Sequence, residues 1–263
     1  MSDFQTIKLL ASPGGVASIL LNLPDTHNAF TALMVEELSD AIETVRTSNC
    51  RVLLLRGSGK SFSAGADLNW MKAAAHYTKA ENEADALKLA KMLQALSELP
   101  MLTIACVHGA CMGGGAGLVA ACDMAVARDG AKFRFSEVRL GLIPATISPF
   151  VVRAIGARWS NALFITGEGF DADFAEKIGL VQYVVADEMQ MESMLEKLAK
   201  LAFETAPGAV NDSKKLVHEV SNHPINEDLA HKTARHIAAR RASDEGKEGL
   251  SAFLEKRKPN WIK

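Results

Sequence analysis

The sequence predicts an α/β core, residues 1–195, followed by a helical C-terminal region, residues 196–263. Over the first 140 residues, short strand-like runs alternate with stretches of helical period, which is the pattern of an α/β layer. From about Pro149 onward the pattern is almost wholly helical and more charged, with no Gly/Ser linker at the change. The 263-residue chain is 48% hydrophobic and 23% charged, so it can bury a sizeable core and falls outside the disordered and fibrous classes.

Residues 4–10 and 16–23 read as two strands joined by the turn Ser12-Pro13-Gly14-Gly15, a hairpin by turn chemistry. After the polar break Pro24-Asp25-Thr26-His27-Asn28, apolar residues from Phe30 to Val45 recur at helical spacing, with Asn28 or Thr31 available as the cap. Residues 52–55 form a short buried-strand run ended by Gly57-Ser58-Gly59. A second helix covers about 81–99, stopped by Pro100, and residues 102–107 form another buried strand. A loop with four glycines spans 109–115, a short apolar helix covers 118–122, and strands follow near 124–127 and 132–135. Later helices are expected near 172–178, 188–205, 207–221 and 226–241.

With 29 basic and 31 acidic side chains the formal charge is −2. No concentrated basic face is available for phosphates, which argues against nucleic acid as the principal partner. Cys50, Cys106, Cys111 and Cys122 include no C-x-x-C pair and read as reduced thiols. The segment Met1-Ser2-Asp3-Phe4 lacks a basic n-region followed by an apolar run, and no run reaches the ~18 residues of a membrane span. A cytoplasmic protein with no membrane partner is the expectation.

Several familiar patterns fail. Gly59-Lys60-Ser61 has Leu54 where a phosphate-binding loop needs its first glycine, and Leu118 stands where a dinucleotide fingerprint beginning at Gly113 needs its third. Ser61-Phe62-Ser63-Ala64-Gly65 lacks the leading glycine of a nucleophile elbow. The seven histidines include no H-x-x-x-H pair, so no metal site is expected.

Two small-residue loops remain: Ser63-Ala64-Gly65-Ala66-Asp67-Leu68, and the stretch from His108 to Gly117 that contains Gly113-Gly114-Gly115. Each follows a buried-strand run. Their residues serve either tight turns and close packing, or the approach of a ligand to main-chain N–H groups. A helix beginning at Gly114 adds its positive end to such donors. Two N–H groups converging from different loops make an oxyanion hole.

The segments 63–68, 113–123 and 135–144, with Asn28-Ala29-Phe30, Thr166-Gly167-Glu168, Gly179-Leu180-Val181 and Phe253-Leu254-Glu255-Lys256-Arg257, resemble the crotonase (enoyl-CoA hydratase/isomerase) superfamily nearly end to end. The resemblance implies a crotonase-like spiral of ββα units with a helical C-terminal trimerisation region, assembled as a homotrimer or homohexamer. It implies that the backbone N–H groups of Ala66 and Gly114 hold a thioester carbonyl. It implies an acyl-CoA substrate bound by Asn28, Ala29, Ser63, Ala64, Gly65, Ala66, Asp67, Leu68, Gly113 and Gly114. Coenzyme A is then part of the substrate and no separate cofactor is needed. Lys256 and Lys258 are either phosphate contacts or solvated surface charge.

In the same resemblance, hydratases use two glutamates to handle one water. The second falls on Glu137 and the first on Gly117, which cannot transfer a proton. The expectation is one catalytic carboxylate, Glu137. The segments 65–71, 116–123 and 140–149 resemble 3-methylglutaconyl-CoA and isohexenylglutaconyl-CoA hydratases, with Ala145-Thr146-Ile147-Ser148 reshaping the pocket wall where straight-chain hydratases are glycine-rich and Trp70 and Met71 as further lining. Arg139 and Arg153 are candidates for a distal carboxylate. Reversible hydration of a branched 2-enoyl-CoA is therefore expected. The alternatives are Δ3,Δ2-enoyl-CoA isomerisation, another reaction of the same superfamily, or a non-catalytic acyl-CoA- or RNA-binding role.

Overall fold

A computed structural model describes residues 4–12, 14–221 and 223–262. The N-terminal reading at Met1, Ser2 and Asp3, and Pro13 of the first turn, lie outside the described residues. Strands β1 (Ile7–Ala11) and β2 (Val16–Leu21) pair antiparallel, and Gly15 N–H donates to Ser12 O at 3.1 Å in the turn between them. Helix α1 (Ala32–Arg46) is capped by Thr31, whose side chain accepts from Met34 N–H at 3.1 Å. Its buried face is Met34, Val35, Leu38, Ala41, Ile42 and Val45, the spacing read from the sequence.

The chain continues through β3 (Val52–Gly57), α2 (Leu68–Ala74), α3 (Lys79–Ser97) and β4 (Leu102–Val107). A reciprocal capping box of Thr78 and Glu81 opens α3. Then come β5 (Ala110–Met112), α4 (Gly114–Ala121), β6 (Met124–Arg128), β7 (Lys132–Arg134) and α5 (Ser148–Thr166). Helix α5 is broken at Gly156, whose φ of +73° leaves the helical region. β8 (Gly169–Asp171), α6 (Ala172–Lys177), β9 (Tyr183–Val185), α7 (Glu188–Glu204), α8 (Pro207–Val220), α9 (Glu227–Ala242) and α10 (Asp244–Leu254) complete the order.

Six strands form one sheet in the order β1-β2-β3-β4-β6-β9, parallel from β2 onward. The interior strands β3 and β4 are buried on consecutive residues, Val52 to Leu55 and Thr103 to Val107, because both of their faces are covered. A second sheet has the order β5-β7-β8. The chain leaves the large sheet after β4, enters the small one at β5, returns at β6 and leaves again at β7. The segment after β3 and the start of α4 are brought side by side by this repeated crossing.

The observed elements differ from the sequence reading in identifiable ways. The glycine-rich stretch at 109–115 contains strand β5, and its helix starts at Gly114 rather than at 118. Strands β8 and β9, three residues each, lie in the part of the chain the sequence reads as almost wholly helical. The two strands of the first hairpin are Ile7–Ala11 and Val16–Leu21, displaced at one end and shortened at the other.

Two compact units are present, residues 1–196 and 197–263. The second contains the last turns of α7 together with α8, α9 and α10. All four cysteines are free, and burial pushes the Cys106 thiol up to about 12, so it is no thiolate nucleophile. Among the described residues, no helix is long and apolar enough to cross a membrane.

Candidate functional site

The walls of the site are set by a buried amide. Asn28 is fully buried at a left-handed φ of +54°, a conformation asparagine tolerates better than most residues. Its Nδ2 donates to Ser58 O and to Ser61 O, both at 2.8 Å, and its Oδ1 accepts from Leu23 N–H at 2.8 Å. The turn after β3 is thereby fixed against the segment that precedes α1. Ser63, also fully buried, donates from Oγ to Asn28 O at 2.8 Å and accepts from Gly65 N–H at 3.3 Å.

The structure places Asn28, Ala29 and Ser63 behind the loop rather than on the wall of the cavity described below. The polar groups of Asn28 and Ser63 are spent on the protein's own backbone. They position the loop. Asn28→Ala is expected to cost about 3 kcal/mol, because one buried carbonyl, one half-buried carbonyl and one half-buried N–H lose their partner together. The check is a fall in thermal midpoint with no new ligand-binding defect in the surviving folded fraction.

The first small-residue loop is strapped on both sides. Phe30 N–H donates to Gly65 O at 2.7 Å, and Asp67 N–H donates to Phe30 O at 2.9 Å. On the other side Ser63 N–H donates to Ala110 O at 3.0 Å and Met112 N–H to Ser63 O at 2.9 Å. Gly65 has φ +91°, and a Cβ there would sit 3.1 Å from Met112 O. The second loop turns at Gly113, φ +48°, whose N–H donates to Arg134 O at 2.9 Å before α4 begins. A Cβ at Gly115 would lie 2.8 Å from that of Ser63. Only small residues permit so close an approach.

Ala64, Gly65, Ala66, Gly113 and Gly114 line one cavity of about 300 Å³. Among the described residues, the N–H groups of Ala66 and Gly114 have no hydrogen-bond acceptor within the chain. Two free donors from different loops, at the positive end of α4, suit an oxygen that becomes negatively charged. Of the remaining expected ligand residues, Asp67 caps α2, accepting from Asn69 N–H at 2.8 Å and Trp70 N–H at 3.1 Å. Leu68 is exposed and does not line the cavity.

Glu137 begins the short 3-10 helix Glu137–Leu140 and faces the same cavity. Its Oε1 would be 3.2 Å from a Cβ at Gly113, which places the carboxyl against the turn that opens α4. Its Oε2 is buried without a partner, and burial pushes the Glu137 carboxyl up from its ordinary value. The carboxyl therefore holds its proton to higher pH when folded than when unfolded. Stability from this source is fully present below the unfolded-state pKa and is lost as pH rises through the folded one. Glu137→Gln is accordingly expected to raise the thermal midpoint relative to the parent at pH 8, with the difference shrinking toward pH 4.

Thr146 and Ile147 line the cavity, as do Trp70 and Met71. Trp70 Nε1 is a buried donor without a partner. Position 117 is closed: a Cβ on Gly117 would lie 2.3 Å from Ile147 Cγ2 and 2.9 Å from Ile147 Cβ. The isoleucine side chain fills the room a larger residue at 117 would need.

Arg139 donates from Nε to Gly167 O at 2.9 Å, and neither it nor Arg153 lines the cavity. Sequence reasoning missed Asp85, Ala86 and Leu89, which α3 contributes to the wall. That stretch of α3 carries no clean apolar stripe, so its inward side left no periodic signal. A larger cavity of about 640 Å³ lies in the second unit. Several of its ionisable groups are paired with one another, Arg240 with Asp212 and Glu245, and His236 with Glu219. Lys256 and Lys258 also belong to that unit. No group of three or more metal-ligating side chains occurs among the described residues.

A profile of the enoyl-CoA hydratase/isomerase family matches residues 11–263. A Legionella pneumophila protein assigned as an enoyl-CoA hydratase/isomerase (crotonase) is 45% identical, with a TM-score of 0.89 over 97% of this chain and 98% of that one. An enoyl-CoA hydratase from Shewanella pealeana superposes with a TM-score of 0.95 at 37% identity, over 98% of this chain and 97% of that one. A crotonyl-CoA hydratase from Syntrophomonas wolfei is 32% identical over 94% of each chain.

Proposed function

The chain belongs to the enoyl-CoA hydratase/isomerase family and has its α/β crotonase fold, and on that premise we propose that it reversibly hydrates a branched 2-enoyl-CoA thioester. The observation that carries this reading is the pair of unpartnered N–H groups, Ala66 and Gly114, on one cavity with the buried carboxyl of Glu137. The thioester oxygen accepts from the two amides, the enolate that forms on it is stabilised there, and Glu137 delivers a proton to the α-carbon. A carboxyl that burial keeps protonated to higher pH suits that donor role.

The branched acyl chain is placed against Thr146, Ile147, Trp70 and Met71. Of branched substrates, 3-methylglutaconyl-CoA and isohexenylglutaconyl-CoA carry a distal carboxylate, which needs a donor if it is to be buried. No cationic side chain lines the cavity among the described residues; the side-chain donors there are neutral, the buried indole Nε1 of Trp70 and the hydroxyls of Ser136 and Thr146. A neutral branched comparator, 3-methylcrotonyl-CoA, separates the contribution of the branch from that of the charge. The assembly that goes with this reading is a trimer or a hexamer, which sedimentation velocity measures.

The experiment is turnover of these three thioesters beside crotonyl-CoA, followed by loss of the ultraviolet absorbance of the conjugated enoyl group. One added methyl in an apolar pocket is worth about 1–3 kcal/mol. A branched substrate is therefore expected to exceed crotonyl-CoA in kcat/KM by about tenfold or more. Equal or inverted preference ends the branched assignment. Absence of hydration on every substrate ends the hydratase reading.

A second reading, Δ3,Δ2-enoyl-CoA isomerisation, is favoured by the closure of position 117 by Ile147. One carboxyl can carry a proton between the α- and γ-carbons without water. A 3-enoyl-CoA that gains conjugated absorbance with the protein, while 2-enoyl-CoAs stay unchanged, selects it.

A further inference from the structure

Adding water across a conjugated double bond moves two protons. One goes to the α-carbon, and one must leave the water as its oxygen attacks the β-carbon. Among the described residues the cavity has two ionisable side chains, Glu137 on the 3-10 helix and Asp85 on α3. The other polar side chains on its wall are poor bases: the hydroxyls of Ser136 and Thr146, and the indole N–H of Trp70, which only donates. Asp85 is half-buried, accepts no hydrogen bond and makes no ion pair among the described residues. Lys88, one turn along α3, is engaged by Glu36 at 2.8 Å. A carboxylate without a hydrogen bond or close ion pair, its charge felt through space by Lys88, thus stands on the cavity wall, with position 117 sealed by Ile147.

We propose that Asp85 is the catalytic base that takes the proton from the attacking water. The inference rests on the hydratase reading above. The water oxygen bonds to the β-carbon while its proton passes to the Asp85 carboxylate. The electron pair of the double bond moves onto the thioester oxygen at Ala66 and Gly114. As the carbonyl reforms, the α-carbon takes the proton of the Glu137 carboxylic acid. Asp85 then loses its proton to solvent and Glu137 regains one, so the sum is addition of one water.

The two acids are separable by experiment. Exchange of the α-protons of butyryl-CoA with deuterated water needs the amide pair and Glu137 but no water addition. For Asp85→Asn, kcat for hydration of crotonyl-CoA is expected to fall about 100-fold with KM within threefold, while butyryl-CoA exchange persists near the parental rate. Asp85→Glu is expected to restore part of the hydration, since it returns a carboxylate to the same wall. Hydration by Asp85→Asn within threefold of the parent overturns the proposal. Parallel loss of hydration and exchange overturns it as well, because it marks Asp85 as structural. If the parent protein itself hydrates nothing, the hydratase reading fails and takes this inference with it. If the parent hydrates and Asp85→Asn does too, only the inference fails.

Discussion

Glu137→Gln is expected to lower kcat for enoyl-CoA hydration by about 10²–10⁴-fold, the range associated with loss of a positioned general acid or base. The amide keeps the shape of the side chain but has no transferable proton at this pH. The amides of Ala66 and Gly114 belong to the backbone and remain in place, so affinity for a saturated acyl-CoA should change by no more than about threefold. Exchange of the α-protons of butyryl-CoA should fall in parallel with hydration, in contrast to the Asp85→Asn pattern. Stopped-flow or steady-state absorbance together with calorimetric titration of butyryl-CoA checks both parts. Full hydration activity in Glu137→Gln would remove this residue from the chemistry altogether. The same substitution is expected to stabilise the fold at neutral and higher pH, because a carboxyl buried without a second partner is held there at the expense of stability.

Gly117→Glu, the substitution that places a second glutamate where the family resemblance has one, is expected to destabilise the protein by about 3 kcal/mol or more and to add no activity. A Cβ alone at this position would overlap Ile147 Cγ2 at 2.3 Å, and Ile147 is fully buried. Overpacking of a tight core costs typically about 1–3 kcal/mol, and a carboxylate forced into that wall adds a desolvation cost. At roughly 2–4 °C per kcal/mol for a chain of this size, the midpoint should fall by about 6–12 °C. Ile147→Ala alone is also expected to destabilise, by the loss of a buried side chain. The double variant should be more stable than the sum of the two single losses, because the alanine vacates the space the glutamate needs. Simple additivity in thermal denaturation would show that Ile147 does not close the position.

The division into an α/β core and a helical end could be read from periodicity, because each strand and helix buries its own face and leaves a local pattern. Helix α1 is the clear case: its buried residues recur at the spacing visible between Phe30 and Val45. The absence of a proton donor at position 117 is a property of glycine itself and was equally visible. Local pattern failed at β8 and β9, three-residue strands set among helices whose period dominates that stretch. Nor does local pattern carry the role of the Asn28 amide, which is consumed by Leu23, Ser58 and Ser61, partners as many as 33 residues away.

The sequence by itself determined which chemical groups are available: small residues around Ala66 and Gly114, one glutamate at 137 and none at 117. Tertiary structure decided which of them share a cavity. Ala66, Gly114, Glu137 and Asp85 lie on four separate elements, and they come together because the chain passes repeatedly between two sheets. It also decided that Ile147 seals position 117. Composition and period record what a residue can do within its own turn or strand. Proximity across the fold depends on how distant segments close over one another, and no local pattern carries it.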